Sequence, residues 1–165
     1  MPNRSSSTLK TKEQQLVQLI VFRSGNEEFC IPISDAQEII KVVPITPIPD
    51  SPYFIRGLIN VRGDIVAIID IKSLFFLPTA VNDNPKHIII TKQNSGIFGL
   101  MVDEVVEVLR VNGADINKNP SSIINIHEKY VGGVVIDENR LIILLNLASI
   151  LAQEELIKLS ALERY

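Results

Sequence analysis

The sequence predicts a mainly β protein, built as two small β-barrels in tandem, related by a pseudo-twofold, with short helices and a C-terminal helix. Three observations carry this. Short β-type runs follow one another at close spacing, the pattern of barrels and sandwiches rather than of alternating strands and helices. The second half of the chain repeats the first. Two runs, 65–69 and 141–145, are apolar at every position, as strands buried on both faces are.

Taken in order, residues 1 to about 14 are polar and read as a flexible arm. Strands are expected at 16–22, 28–31, 38–43, 58–61 and 64–71. A helical turn at 73–78, in SLFFLP, is stopped by proline, and 78–85 is a linker rich in turn formers. Barrel one thus covers about 15–77. Barrel two, about 86–146, holds strands at 87–92, 97–102, 107–111, 131–136 and 141–145. From residue 147 to 165, Ile150, Leu151, Leu156, Ile157, Leu159 and Leu162 recur at helical spacing, which predicts an amphipathic terminal helix.

The repeat is specific. FIRGLINVRGDIVAIIDIKSLF overlays YVGGVVIDENRLIILLNLASIL without a gap, so Gly57 meets Gly133, Arg62 and Gly63 meet Glu138 and Asn139, and Asp70 meets Asn146. Upstream, FCIPISDAQEIIKV overlays FGLMVDEVVEVLRV, so Phe29 meets Phe98, Ser34 meets Asp103 and Glu38 meets Glu107. Two matches in the same order indicate a tandem duplication. Gly57 and Gly133 open corresponding strands, where a missing Cβ admits a close backbone approach. Ser34 and Asp103 sit where a short helical turn would want an N-cap oxygen. Ile68 and Leu144 occupy equivalent positions and are both expected in the core.

Composition narrows the function. The 165 residues are 46% hydrophobic and 21% charged, with net charge −3 and no Trp. There is no basic excess or stacking platform for nucleic acid. No apolar run approaches the ~20 residues needed to span a bilayer, so no direct membrane insertion is expected. The N-terminus has no apolar h-region and the lone Cys30 forms no internal disulfide, which together place the chain in the cytoplasm. A glycosylation sequon at Asn3 and the RGD at Arg62 to Asp64 carry no weight there.

Catalysis finds no support either. His87 and His127 have no ligand spacing between them, so no metal is expected, and Cys30 reads as a small buried hydrophobe. NSGIFG opens a strand rather than a helix, and no nucleophile elbow occurs, so no cofactor or catalytic residue is assigned. Asp103, Glu104 and Glu107 read as capping and surface charges. What remains is binding. Arg62, on a turn between buried strands, is held in a fixed place, and arginine is enriched at interface hot spots. Its repeat counterpart, Glu138, has the opposite charge, which argues that the arginine is not there for folding.

DAQEIIKVVPITPIPDSP, FIRGLINVRGDIVAIIDIKSLF, GLMVDEVVEVLRV and YVGGVVIDENRLIILLNL, in this order, resemble CheW, the chemotaxis coupling protein family, from about residue 15 to 151. The resemblance implies two five-stranded, SH3-like β-barrels around a shared core and no catalysis. It implies an adaptor that joins the cytoplasmic tips of methyl-accepting chemoreceptors to the regulatory domain of the histidine kinase CheA, at the inner face of the membrane. The family's receptor groove falls on Ala36, Glu38, Ile39, Arg62, Gly63 and Gly99, and its kinase contacts on the regions 44–52 and 111–126. Ala36 stands where the family often has valine, making that part of the groove shallower, and Ala67 replaces a frequent proline. The start methionine, arm and tail suggest a stand-alone protein rather than a piece of a kinase. A coupling protein of pilus-type motility and a small-molecule-binding barrel are the alternatives.

Overall fold

Valine and isoleucine are stiff at χ1 and pack well on a pleated surface, and strands form where they cluster. The computed structural model describes residues 15–78, 84–94, 96–118 and 128–152. The first half contains β1 (Leu16–Ser24), β2 (Glu27–Pro32), β3 (Ala36–Lys41), β4 (Ile55–Val61) and β5 (Asp64–Asp70). The second contains β6 (His87–Gln93), β7 (Gly96–Val102), β8 (Glu104–Asn112), β9 (Val131–Asp137) and β10 (Arg140–Leu145). A short helix follows the last strand of each half, α1 (Ile71–Leu74) and α2 (Leu147–Leu151).

The aligned residues Asp70 and Asn146 cap these helices. Their side-chain oxygens accept the N–H of Lys72 and of Ser149, each at 3.1 Å. This cap starts the first helical turn at Ile71, ahead of the 73–78 expected. Ser34 and Asp103 are not caps: Ser34 is exposed inside a 3-10 turn, and Asp103 is a buried link between β7 and β8. The arm 1–14, linker residues 79–83 and the tail from 153 lie outside the described residues. No helix among the described residues is long and apolar enough to cross a membrane.

The strands form two five-stranded sheets, ordered β8-β1-β2-β10-β9 and β3-β6-β7-β5-β4. Replacing each strand of one half by its repeat counterpart converts one order into the other, so the duplication is built into the topology. The sheets do not follow the division into 15–77 and 86–146, however. Each takes strands from both halves. The cause is connection length. β2 and β8 both run antiparallel to β1, so they are parallel to each other. For β3 to take the place of β8 beside β1, the chain would have to return along the whole sheet, which needs a dozen or more residues. Only Ile33–Asp35 separate β2 from β3, and three residues reach ~11 Å at most. β3 therefore runs on to pair with β6 in the other sheet, and β8, one residue after β7, does the reverse.

Each sheet is also bridged between its end strands. Past β3, Thr46 exchanges backbone hydrogen bonds of 2.9 and 2.8 Å with Leu58 of β4; past β8, Asn117 does the same with Val134 of β9. Gly57 and Gly133 make room for this. A Cβ on Gly57, whose φ is +145°, would lie 2.1 Å from Thr46 O, and one on Gly133 would lie 3.0 Å from Asn117 O.

Three apolar clusters result. The central one joins both sheets and both helices, with stacked rings Phe22–Phe29 at 5.9 Å and Phe29–Phe75 at 5.2 Å. Each sheet has a second cluster on its other face, around Ile68 in one and around Leu19, Cys30 and Ile142 in the other. This explains the all-apolar runs: in β5, Ala67 and Ile69 face the central cluster while Val66 and Ile68 face the sheet's own. Leu144 differs from expectation, being only half-buried at the rim of its cluster. Burial pushes the Cys30 thiol up to about 12, so it stays protonated and inert near neutral pH.

Two outcomes follow from this core. In denaturant titrations, Ile68→Ala should cost about 2–5 kcal/mol and Leu144→Ala clearly less, because Leu144 leaves a smaller buried void; equal losses would contradict the unequal burial. The folded Cys30 thiol binds its proton more tightly than the unfolded one. Its contribution to stability is therefore complete below the ordinary thiol value and lost as pH rises towards about 12. Stability measured between pH 8 and 11 should fall more steeply in the native protein than in Cys30→Ala, and a thiol reagent at pH 8 should label Cys30 only after denaturation.

Candidate functional site

Arg62 and Gly63 form the two-residue turn between β4 and β5, with φ of 50° and 90°. Positive φ at both positions matches the twist of a hairpin; glycine adopts it freely, whereas arginine does so under strain. Asn60 Oδ1 accepts the Gly63 N–H at 2.9 Å and fixes the turn. Arg62 is held in addition by Glu38 of β3: Nη1 donates to Oε1 at 2.8 Å and Nη2 to Oε2 at 2.9 Å. β3 and β4 are opposite ends of one sheet, so this fork closes the same gap that Thr46 and Leu58 bridge. The arginine side chain remains 78% exposed and the carboxylate 22%. Beside them lies a depression of about 40 Å³, lined by Gln37, Asp64, Ile90 and Ile97 among others.

The second half keeps the bridge with a displaced arginine. Glu107, the counterpart of Glu38, pairs at 2.8 Å with Arg140, which also binds Asp137 at 2.9 Å. These hydrogen bonds raise the Arg140 guanidinium above its ordinary value. Arg140 aligns with Asp64, two residues beyond Arg62, while Glu138 occupies the turn itself with φ 56°. An Arg–Glu pair thus ties one end strand of each sheet to the hairpin at the sheet's other end, which corrects the inference that Arg62 has no part in folding.

The other expected residues divide. Ala36, Glu38 and Ile39 all lie on β3. Ala36 is half-buried against the central cluster, and Ile39 is 42% exposed on the face opposite to Glu38. Gly63 has open space around it. Gly99 is elsewhere: it is buried in β7, in the row that runs Glu38, Ile90, Gly99, Ile68 across the sheet. A Cβ there would meet Ile68 Cδ1 at 2.7 Å and Ile88 Cγ2 at 2.8 Å, so Gly99 offers packing room and no surface. The region 44–52 is described throughout, whereas 111–126 is described only to residue 118, and His127 lies outside the described residues.

Sequence reasoning missed a buried polar clamp between the sheets. Asp103 accepts from Lys72 Nζ at 2.9 Å and from the Gly25 N–H at 2.8 Å, with the lysine 9% and the carboxylate 4% exposed. Gly25 belongs to the β1–β2 turn of one sheet, and Lys72 to α1, which follows β5 of the other. Glu104 and Glu107 are surface charges as expected, paired with Arg23 and Arg140 at 2.8 Å each, whereas Asp103 is a buried ion-pair partner and no cap. Among the described residues, no group of three or more His, Cys, Asp and Glu is placed to hold a metal.

Comparison with known proteins gives consistent matches. A family model described as the CheW-like domain matches residues 18–155. Chemotaxis protein CheW of Rhizobium meliloti is 35% identical over 139 residues, covering 84% of this chain and 89% of that protein. Chemotaxis protein CheW of Treponema pallidum is 30% identical, covering 88% of each. The crystal structure of the scaffolding protein TtCheW from Thermoanaerobacter tengcongensis superposes with a TM-score of 0.77 at 31% identity, over 84% of this chain and 90% of that one.

Removing one partner of the buried clamp leaves the other charge stranded. Lys72→Met should therefore cost about 3–5 kcal/mol in equilibrium unfolding. Lys72→Met/Asp103→Asn should recover part of it, since no bare carboxylate then stays buried; a double variant no better than the single one would show that the charge is not the cause.

Proposed function

We propose, since the chain belongs to the CheW-like domain family, that it is a non-catalytic chemotaxis scaffold joining the cytoplasmic tips of methyl-accepting chemoreceptors to the histidine kinase CheA. The observation that carries this reading is the Arg62 fork. Glu38 takes two of the five guanidinium donors and fixes the plane of the group, and the remaining donors face solvent. A carboxylate on a helical receptor tip is the acceptor that this geometry suits. β3 is an end strand, so a partner lying along its edge meets the Arg62–Glu38 pair on one side and exposed Ile39 on the other.

The kinase surface is assigned to the segments that follow the two end strands, 44–52 and the region from 111, each bridged to the far end of its own sheet. A scaffold must hold both partners at once, so the two surfaces are expected to be separable by mutation. In this role the protein works in the cytoplasm, gathered at the inner face of the membrane by receptor arrays, and it turns over no substrate.

Titration against a receptor signalling fragment and, separately, the kinase regulatory domain tests the assignment. Arg62→Glu should weaken receptor binding by ~2 kcal/mol or more, in the range of an interface hot spot, and leave kinase binding nearly intact. Its cost to stability should stay near ~1 kcal/mol, as for an exposed ion pair. Glu38→Gln, which leaves an oxygen for the arginine, should lose much less receptor affinity. Unchanged receptor affinity in Arg62→Glu, or parallel loss of both partners, would remove Arg62 from the receptor surface.

A further inference from the structure

Phe76 stands against two rules of folding at once. It follows α1 with φ 54°. The N–H groups of Phe76 and Leu77 donate back to the carbonyls of Ser73 at 3.2 Å and Lys72 at 2.9 Å. This is the left-handed helix ending at which glycine is favoured and a side chain is strained. The Phe76 ring is 65% exposed and stacks at 5.0 Å on Tyr53, itself 56% exposed. Backbone conformation and apolar burial both speak for a different residue there. The duplication does not require the ring pair either. One residue beyond each end of the aligned stretch, Tyr53 meets Lys129 and Phe76 meets Ala152.

The two rings line a groove of about 460 Å³ together with Arg56, Leu77, Pro85 and Met101. Arg56 is 54% exposed and reaches Asp70 only through Nη1, at 3.7 Å. The Asp70 oxygens already accept from the Lys72 N–H and the Ser73 hydroxyl at 3.1 Å each. The Arg56 guanidinium therefore keeps donors for a second carboxylate. Arg56 opens β4 and Arg62 follows its end, about 20 Å away at ~3.3 Å per strand residue. Segment 44–52, given above to the kinase, adjoins the groove through two neighbouring depressions. Ile45 and Pro47 share one with Arg56, beside the exposed Val42 and Val43, and Asp50 to Pro52 share the other with Tyr53. Resting on that assignment, we propose that Tyr53, Phe76 and Arg56 anchor the kinase surface. They take from the kinase regulatory domain an apolar side chain with a carboxylate beside it. Aromatic rings and arginine are the residues on which interface energy concentrates, and here the rings receive the apolar group while Arg56 receives the charge. The strained turn holds the Phe76 ring outward, where only a partner can bury it.

Titration of the full chain against the kinase regulatory domain and, separately, a receptor signalling fragment provides the test, with denaturant unfolding of each variant beside it. Phe76→Gly should weaken kinase binding about tenfold or more and leave receptor binding unchanged. It should also unfold at no lower denaturant concentration than the native protein, since glycine relieves the left-handed turn. Phe76→Tyr, which keeps the ring, should retain kinase affinity. Arg56→Gln should weaken kinase binding and flatten its salt dependence, with Arg56→Lys intermediate. If the native protein binds the kinase domain and Phe76→Gly and Arg56→Gln bind it equally well, the anchor is overturned while the kinase assignment stands. A Phe76→Gly variant that unfolds much earlier makes the ring a structural element, and one that loses the receptor instead gives the groove to the other partner; either result overturns the anchor. If the native protein does not bind the kinase domain at all, the assignment beneath the anchor falls and takes the anchor with it.

Discussion

The architecture depends on two connections that are too short. Three residues between β2 and β3, and one between β7 and β8, cannot carry the chain back along a strand to lie parallel beside its own half. Each half is therefore forced to lend strands to the other. The shared central cluster follows, because every sheet face turned inward now belongs to both halves. Neither half buries that cluster alone, so the two sheets stand or fall together, which an arrangement of two contiguous barrels would not require.

This constraint also marks the limit of what the sequence disclosed. The repeat, the strands, the close approaches at Gly57 and Gly133 and the doubly buried runs all depend on local pattern, and local pattern is legible. Partner choice is not, because β1 and β6 are equivalent and a repeat cannot say which copy a strand joins. The connection lengths held that information. Of the expected residues, Glu38 and Arg62 pair, Gly63 sits beside Arg62 in the turn, Ala36 and Ile39 share β3 with Glu38 but not its face, and Gly99 is core. Its buried position is shared with its repeat counterpart Cys30, which was read correctly as a small hydrophobe. The Glu38–Arg62 pair joins residues 24 apart on strands that share no ladder. Its only sequence trace was the alignment of Glu38 with Glu107.

That trace shows how a duplicated fold can conserve an interaction without conserving its residues. In both sheets a carboxylate at the same place on the end strand, β3 or β8, binds an arginine of the hairpin at the far end. The arginine comes from the hairpin turn in one and from the strand after it in the other. Displacing it changes what the turn exposes. In one sheet a guanidinium faces solvent, in the other Glu138 does, so the folding requirement is met twice while the surfaces diverge in charge. A structural role for Arg62 is thus compatible with a binding role, since the pairing with Glu38 is what orients the free donors.

The clamp of Lys72, Asp103 and Gly25 breaks the pseudo-symmetry most deeply. Its repeat counterparts, Ala148 for the lysine and Ser34 for the aspartate, form no such pair. A buried ion pair adds little net stability over an apolar substitute, because desolvation offsets the attraction. What it does impose is geometry: two charges and one backbone N–H must coincide. Two sheets packed through a nearly symmetric apolar face have no strong preference among small sliding displacements, since dispersion and burial are non-directional. A directional contact of this kind, without a counterpart in the repeat, removes that freedom at small energetic cost. In the proposed role this matters more than stability itself. A scaffold acts only through the fixed separation of its surfaces, and the central cluster, the short β2–β3 and β7–β8 connections and this clamp together hold the two sheets in register.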